Sequence, residues 1–347
     1  MKTQLVFSAF LLLVMVSPAI SQEETATTGF FSPRTFSHYF PADHYAPLIN
    51  LGTGISKGLP DYDITGQDRG WVVYAGPVLG TELPLFYRSW AKSRFAVSMP
   101  VSFSVWWDFL EERTAPILNT DYRVAPLEFN FSRQASSKWI RNFGIRFIPA
   151  FHESTHLGDE LTLCRVRDSI PIHRINISYE TAELSFQVND PYGAIVRNLT
   201  ARAGVRVLWK PGKGFYSVDT LEVPPSLQIK PSERWAEPWI QFQYQDPVCR
   251  LSNKRMMFVL SSDFSLRVRY GYPIYIANPG GMPGKTPVSE AYRLSGTVMA
   301  GWNFLTVQGE NSGLGAFIKL YNGINPHGQF RNHADYTWIG LAVTYAP

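Results

Sequence analysis

The chain has 347 residues, 45% of them hydrophobic and 14% aromatic but only 17% charged, with 26 glycines and 25 prolines to break it into short segments. Its net charge of +4 is spread without a lysine or arginine block, which leaves no case for a nucleic-acid partner. Beyond Leu5 to Val16 no apolar run approaches the roughly 20 residues a spanning helix needs. A helical membrane protein is therefore excluded, and only a closed β-barrel could cross a bilayer.

In chain order, Lys2 precedes the apolar run Leu5 to Val16, and Ala19-Ile20-Ser21 follows with the small-x-small pattern of a cleavage site. Residues 1–21 are read as a signal peptide removed before Gln22. No cysteine follows the run, so no lipid anchor is indicated. Residues 22–45 carry no periodicity and are read as a periplasmic lead-in, and 46–347 as the barrel.

From there a two-residue period takes over. Phe95, Val97, Met99, Val101, Phe103, Val105 and Trp107 alternate with small or polar residues, as do Met256, Phe258, Leu260, Phe264, Leu266, Val268 and Tyr270 with Arg255, Ser261, Asp263, Arg267 and Arg269. Such strands put apolar groups on one face and polar groups on the other. A soluble sandwich shares that alternation, but several of these runs reach the roughly 9 to 11 residues that cross a bilayer obliquely. Aromatics such as Trp71, Trp139, Trp209, Trp235 and Trp302 stand at strand ends, where an interfacial girdle belongs.

Strands are expected near 46–56, 71–80, 95–107, 123–132, 139–152, 173–188, 200–209, 235–245, 255–270, 290–304, 314–321 and 336–345. The connections alternate longer and shorter, apart from a long 81–94. The fold class is thus a transmembrane antiparallel β-barrel of about 12 strands in the outer membrane, with long extracellular loops and short periplasmic turns. A parity change near Ala182 predicts a bulge in that strand. The chain ends in Ala346-Pro347 after the aromatic Tyr345, a departure from barrels that end in an aromatic residue.

The segment densest in reactive side chains is Phe151-His152-Glu153-Ser154-Thr155-His156-Leu157-Gly158-Asp159-Glu160. If the strand continues past Phe151, then His152, Ser154 and His156 share one face, with Asp159 or Glu160 just beyond. A hydroxyl beside an imidazole that a carboxylate orients is the arrangement for nucleophilic acyl transfer, here with His152 as base and Ser154 as nucleophile. His152, His156 and Asp159 also suit a divalent ion such as Ca²⁺ or Zn²⁺. The bland alternative is a hydrogen-bonded cluster pinning a loop at the barrel mouth.

Strand parity puts Trp139, Phe143, Ile145, Phe147, Pro149 and Phe151 on the lipid side, so His152 and Ser154 are expected to face the lumen; a bulge at Pro149 would reverse them. A second segment, Tyr321 to Arg331, has turn-shaping Gly323, Pro326 and Gly328, and its Asn322, His327, Gln329 and Arg331 could converge on the first cluster. Cys164 and Cys249 fit no metal spacing and either pair or stay free. The sequons at Asn130, Asn176 and Asn198 fall in or beside strands, which argues against their glycosylation.

Two resemblances follow from these residues. The His152-x-Ser154 spacing resembles that of outer-membrane phospholipase A and the lipid A deacylase barrels. This implies acyl-ester hydrolysis of phospholipid or lipid A at the outer leaflet; in the phospholipase the pair faces lipid. The pair of segments together resembles an uncharacterised family, domain of unknown function 1207, over most of the chain after the signal peptide. That resemblance implies the barrel class and no reaction. A third functional reading is a narrow channel or a metal-binding surface protein.

Overall fold

The computed structural model describes residues 27–31, 40–57, 70–108, 117–135, 137, 139–158, 175–176, 178–189, 198–209, 217–218, 234–251, 254–269, 291–306, 313–328, 331 and 336–346. The expected signal peptide, Asp159, Glu160, Cys164 and Gln329 lie outside these residues.

The described residues form strands only. β2 (Ile49–Lys57) is followed by β3 (Val72–Ala75) and β4 (Val78–Trp90), two parts of one wall strand, then by β5 (Ser93–Asp108). β6 (Ile117–Val124) and β7 (Glu128–Gln134) again share one path, both pairing with β5 and β8 (Asn142–Leu157). The wall continues through β10 (Ser178–Val188), β11 (Asn198–Leu208), β13 (Ala236–Leu251), β14 (Lys254–Arg269), β15 (Ala291–Thr306), β16 (Gly313–Gly323) and β17 (Tyr336–Ala346). β17 then pairs antiparallel with β2, so the twelve wall strands close into a barrel with no free edge. Outside the wall, β1 (Thr27–Phe30) adds to β4, and β9 (Ile175–Asn176) with β12 (Ser217–Val218) makes a small ribbon.

The twelve strands match the sequence expectation, with one correction. The span 81–94 is not a connection: β4 runs on to Trp90 and meets β5 across the two residues Ala91 and Lys92, Ala91 taking a positive φ of 45°. Glu82 points inward while Thr81 and Leu83 point outward, so the pleat persists where the hydrophobic signal fades. At one end the connections 58–71, 158–177, 209–235, 270–290 and 324–335 are longer than any at the other, with 109–116 the short exception among them. They mark the outer end.

The outward face is apolar. Leu294, Ile318 and Leu341 are 64%, 57% and 61% exposed, while their strand neighbours Ser295, Phe317 and Ala342 are buried. An apolar band running around the whole wall would be an aggregation liability in water and is what a bilayer requires. Trp71, Trp209 and Trp235 stand exposed at the outer end and Trp139 and Trp302 toward the other, forming the two aromatic girdles.

The lumen is packed. Of the expected lead-in, Thr27–Phe30 pairs with β4, and Phe40 and Ala42 are buried inside the barrel, followed by the buried Ala46 and Leu48. Tyr45 is its anchor. The Arg206 guanidinium lies 3.8 Å over its ring and that of Arg123 5.1 Å, and Arg267 donates to its hydroxyl at 3.3 Å. Around it Arg146 bonds Glu128 at 2.8 Å and Glu183 at 3.1 Å, and Arg206 bonds Glu183 at 2.7 Å. Between these groups remains a cavity of about 20 Å³, room for about one water. A through-channel does not fit this interior.

Candidate functional site

β8 carries the site, and its burial alternation changes phase partway along. Gly144, Arg146 and Ile148 point inward, but so do Phe151, Glu153 and Thr155. The cause is a bulge: Thr181 and Glu183, two residues apart on β10, pair with Phe151 and Ile148, three apart on β8. The extra residue lies at Pro149–Ala150, where a proline without an N–H does least harm to the ladder. The indole Nε1 of Trp209 donates to the Pro149 carbonyl at 2.6 Å, and the Trp209 backbone N–H donates to the Glu180 carbonyl at 3.0 Å.

Two sequence expectations are corrected here. The bulge belongs to β8 and not to the Ala182 strand, whose odd residues Tyr179, Thr181, Glu183, Ser185 and Gln187 all point inward without interruption. In consequence His152, Ser154 and His156 face outward, toward lipid, and not into the lumen.

The outward ladder has defined neighbours. His152 pairs across strands with Glu180, and its Nδ1 stands 3.3 Å from the Glu180 carboxylate. Ser154 lies between Tyr122 and Ser178, and its Oγ is 3.4 Å from His156 Nε2. The His156 ring meets Tyr122 edge-on at 5.6 Å between centroids. Glu180, 50% exposed, is a carboxylate on a lipid-facing wall, tolerable only near the interface, where the cost of a lipid-facing charge falls toward zero. The exposed Trp209 beside it puts the ladder at girdle level. Among the expected site residues, then, His152, Ser154 and His156 come together, and Glu180 joins them unannounced.

The inward side of the same strand makes a separate cluster. Tyr179 donates to Glu153 at 2.6 Å, Arg123 stands 3.5 Å from Glu153, and Thr155 donates to Asn119 at 2.9 Å. Arg123 also donates to His44 Nε2 at 3.0 Å, which fixes that imidazole as a neutral acceptor. Burial, reinforced by Arg123, holds the His44 imidazole well below its ordinary pKa.

The second sequence segment does not converge on the ladder. Asn322 faces outward and donates to Thr337 at 2.8 Å. Residues 324–328 and Arg331 fold into the lumen from the outer end. His327 stacks on Trp106 with centroids 4.5 Å apart and planes 5° apart, and its Nδ1 is 3.8 Å from Asp121. Burial lowers its pKa against the pull of the Asp121 carboxylate. The Gly328 N–H donates to Asp121 at 3.2 Å, and Arg331 pairs with Glu237 and the Val268 carbonyl. Among the described residues the segment meets the ladder strand from behind, where a Cβ on Gly328 would stand 2.7 Å from Thr155. As for the metal expectation, no group of three His, Cys, Asp or Glu among the described residues is disposed to hold an ion, and Asp159 lies outside them.

The fold and this surface define a β-barrel of the outer-membrane type. A family model described as "Protein of unknown function (DUF1207)" matches residues 59–200, a span that includes the whole His152–His156 ladder and stops short of the second segment. No curated protein matches the chain. Among solved structures, it is similar to the outer membrane phospholipase (OMPLA) dimer with bound calcium from Salmonella typhi. That likeness has 11% identity and a TM-score of 0.43, and covers 90% of this chain and 94% of that one. It is also similar to LpxR from Salmonella typhimurium, at 10% identity, TM-score 0.34, covering 85% and 99%. A third is the translocator domain of the autotransporter NalP from Neisseria meningitidis, at 11% identity, TM-score 0.34, covering 88% and 90%. At these scores the likeness is one of barrel outline and bears no weight on the site.

Proposed function

We propose that this barrel is a serine acyl-ester hydrolase of the outer membrane, acting on the ester bonds of phospholipid or lipid A at the outer leaflet. The observation that carries the reading is that Ser154 and His152 stand two residues apart on one outward face of β8, with the Glu180 carboxylate 3.3 Å from His152 Nδ1, all on the lipid-facing wall at girdle level. Glu180 stands 3.3 Å from His152 Nδ1 and in this reading orients that side of the ring, which leaves Nε2 as the basic nitrogen, two residues along the same face from Ser154.

The Ser154 hydroxyl attacks the ester carbonyl carbon while His152 Nε2 takes its proton. Collapse of the adduct expels the alcohol, which receives that proton, and leaves an acyl-Ser154. Water, deprotonated by the same nitrogen, then releases the fatty acid and restores Ser154. In the resting arrangement Ser154 leans toward His156 at 3.4 Å; catalytic hydrogen bonds are commonly long before substrate binds. His156 and Tyr122 flank the serine on the outer side. In this reading Glu180 takes the orienting role; Asp159 and Glu160, the orienters expected from sequence, lie outside the described residues.

The test is hydrolysis of phospholipid and, separately, of lipid A by refolded protein in mixed micelles, with and without Ca²⁺. Wild-type turnover that falls about 10²–10⁴-fold in Ser154→Ala and His152→Ala, each folded to the same heat-modifiable mobility, supports the reading. Absence of wild-type turnover on either lipid, with or without Ca²⁺, overturns it.

A further inference from the structure

Two neighbouring rows of outward side chains cross the barrel wall at the level of the ladder. Through consecutive strand pairings, one row runs Leu79, Phe103, Tyr122, Ser154 and the other Thr81, Val101, Val124, His152. The first is built of large groups, with Phe103 and Tyr122 tilted together at 5.0 Å between centroids. The second is built of small ones until it reaches the histidine. Side by side they make a bank and a floor, and over the floor lies an open groove of about 650 Å³ that begins at Ile49 and ends at His152.

We propose that this groove seats one acyl chain of the lipid whose ester Ser154 cleaves, a proposal that rests on the hydrolase reading. The volume falls in the range of roughly 300–1,000 Å³ typical of ligand sites. The groove opens on the bilayer side of the wall, so hydrocarbon and not water is its natural filling. Its polarity is one-ended: the outward floor and bank are apolar apart from the Thr81 and Tyr122 hydroxyls, and His152 closes one end, with Ser154 following Tyr122 on the next strand. An amphiphile laid along it therefore has one favourable direction, tail toward Leu79 and ester toward Ser154. Three strand spacings separate β8 from β4, roughly 14 Å of floor across the wall, long enough to hold a substantial acyl tail.

The groove and the hydrolase reading are tested separately. Ser154→Ala protein is reconstituted into phosphatidylcholine vesicles doped with a phosphatidylcholine bearing a diazirine at the end of one acyl chain, irradiated, digested and mapped by mass spectrometry. Adducts concentrated on Leu79, Val101, Phe103 and Val124 are expected. Labelling spread equally over the belt residues Leu294, Ile318 and Leu341 overturns the groove whatever the activity. In parallel, Val101→Phe with Val124→Phe fills the floor. Hydrolysis of long-chain phospholipid should then fall about tenfold or more beyond any fall on the short soluble ester p-nitrophenyl butyrate; equal loss on both substrates overturns the groove. Concentrated adducts in a protein that hydrolyses neither lipid nor ester retire the hydrolase reading, and with it the groove's role as a substrate site.

Discussion

The indole N–H of Trp209 holds the carbonyl of Pro149 at 2.6 Å, across the wall at the β8 bulge. That one bond satisfies an acceptor the bulge leaves beside the ladder, and the backbone of the same tryptophan holds Glu180. The proposed chemistry on the lipid face depends on it: the bulge turns His152 and Ser154 outward, and Trp209 ties the bulged strand to the strand of Glu180.

Removing the extra residue should leave the ladder facing lipid. With Ala150 deleted, Ile148 points inward, Pro149 outward and Phe151 inward, so the alternation of β8 is unbroken and His152, Ser154 and His156 keep the outer face. The expected outcome is a barrel that folds and keeps its acyl-ester hydrolysis. Trp209→Phe keeps the ring and removes the donor, and should cost about 1–3 kcal/mol through the unsatisfied carbonyl. Urea titration in detergent gives the stability, and a turnover assay on the folded fraction gives the activity. Deletion protein that folds but has lost its turnover would contradict the bulge account.

In the lumen, Glu183 joins Arg146 and Arg206. Glu183→Gln leaves two buried guanidiniums short of a counter-charge. Breaking a buried pair from one side costs about 3–5 kcal/mol. The measurement is the unfolding midpoint by heat-modifiable mobility, and a shift no larger than that of an exposed Glu180→Gln control would mean the network is inert.

The plug is predicted to weaken in acid. His44 and His327 both have native pKa values pushed below that of an unfolded histidine, about 6.5. Between the native and unfolded values the unfolded chain binds more protons, so stability is fully present above about pH 6.5 and falls as pH drops below it. The slope is at most about 1.4 kcal/mol per pH unit for each histidine. His44→Gln keeps an acceptor for Arg123 and removes one titrating group. Its stability should vary less between pH 7.5 and 5.5 than that of the wild type, as read by urea unfolding at both pH values.

Gly328 backs β8 from inside, its Cα facing Thr155, which lies between Ser154 and His156. Gly328→Val should cost about 1–3 kcal/mol by overpacking and lower the turnover of the folded protein, because the displaced Thr155 moves its neighbours. Val substituted at the lipid-facing Ala316, on the far side of the wall, is the control and should change neither.

Most of the wall is legible in the sequence because a strand with one face in lipid and one in a polar lumen must alternate, and residues such as Ile339, Leu341, Val343 and Tyr345 do so without interruption. What escapes is informative. The hydrophobic parity change near Ala182 has a chemical cause: Tyr179 turns inward to bond Glu153, and Glu180 turns outward to meet His152, so apolar and polar exchange faces while the pleat continues. The bulge itself falls at Pro149-Ala150, where a proline was the one available signal. Glu180 could have been found from sequence only by setting β10 in register against β8, which the bulge shifts by a residue. His327 and Arg331 were recognisable as loop residues, but their burial beside Asp121 and Glu237 depends on contacts far away in the chain.

The central claim is that Ser154 is an activated nucleophile on the lipid face. Its most direct test is incubation of the folded protein in detergent with an alkyl fluorophosphonate, followed by intact mass and peptide mapping. The account predicts one adduct, on Ser154, which is lost in Ser154→Ala and formed far more slowly in His152→Ala and Glu180→Gln. A folded wild-type protein that gains no adduct, or one whose adduct persists in Ser154→Ala, would contradict it.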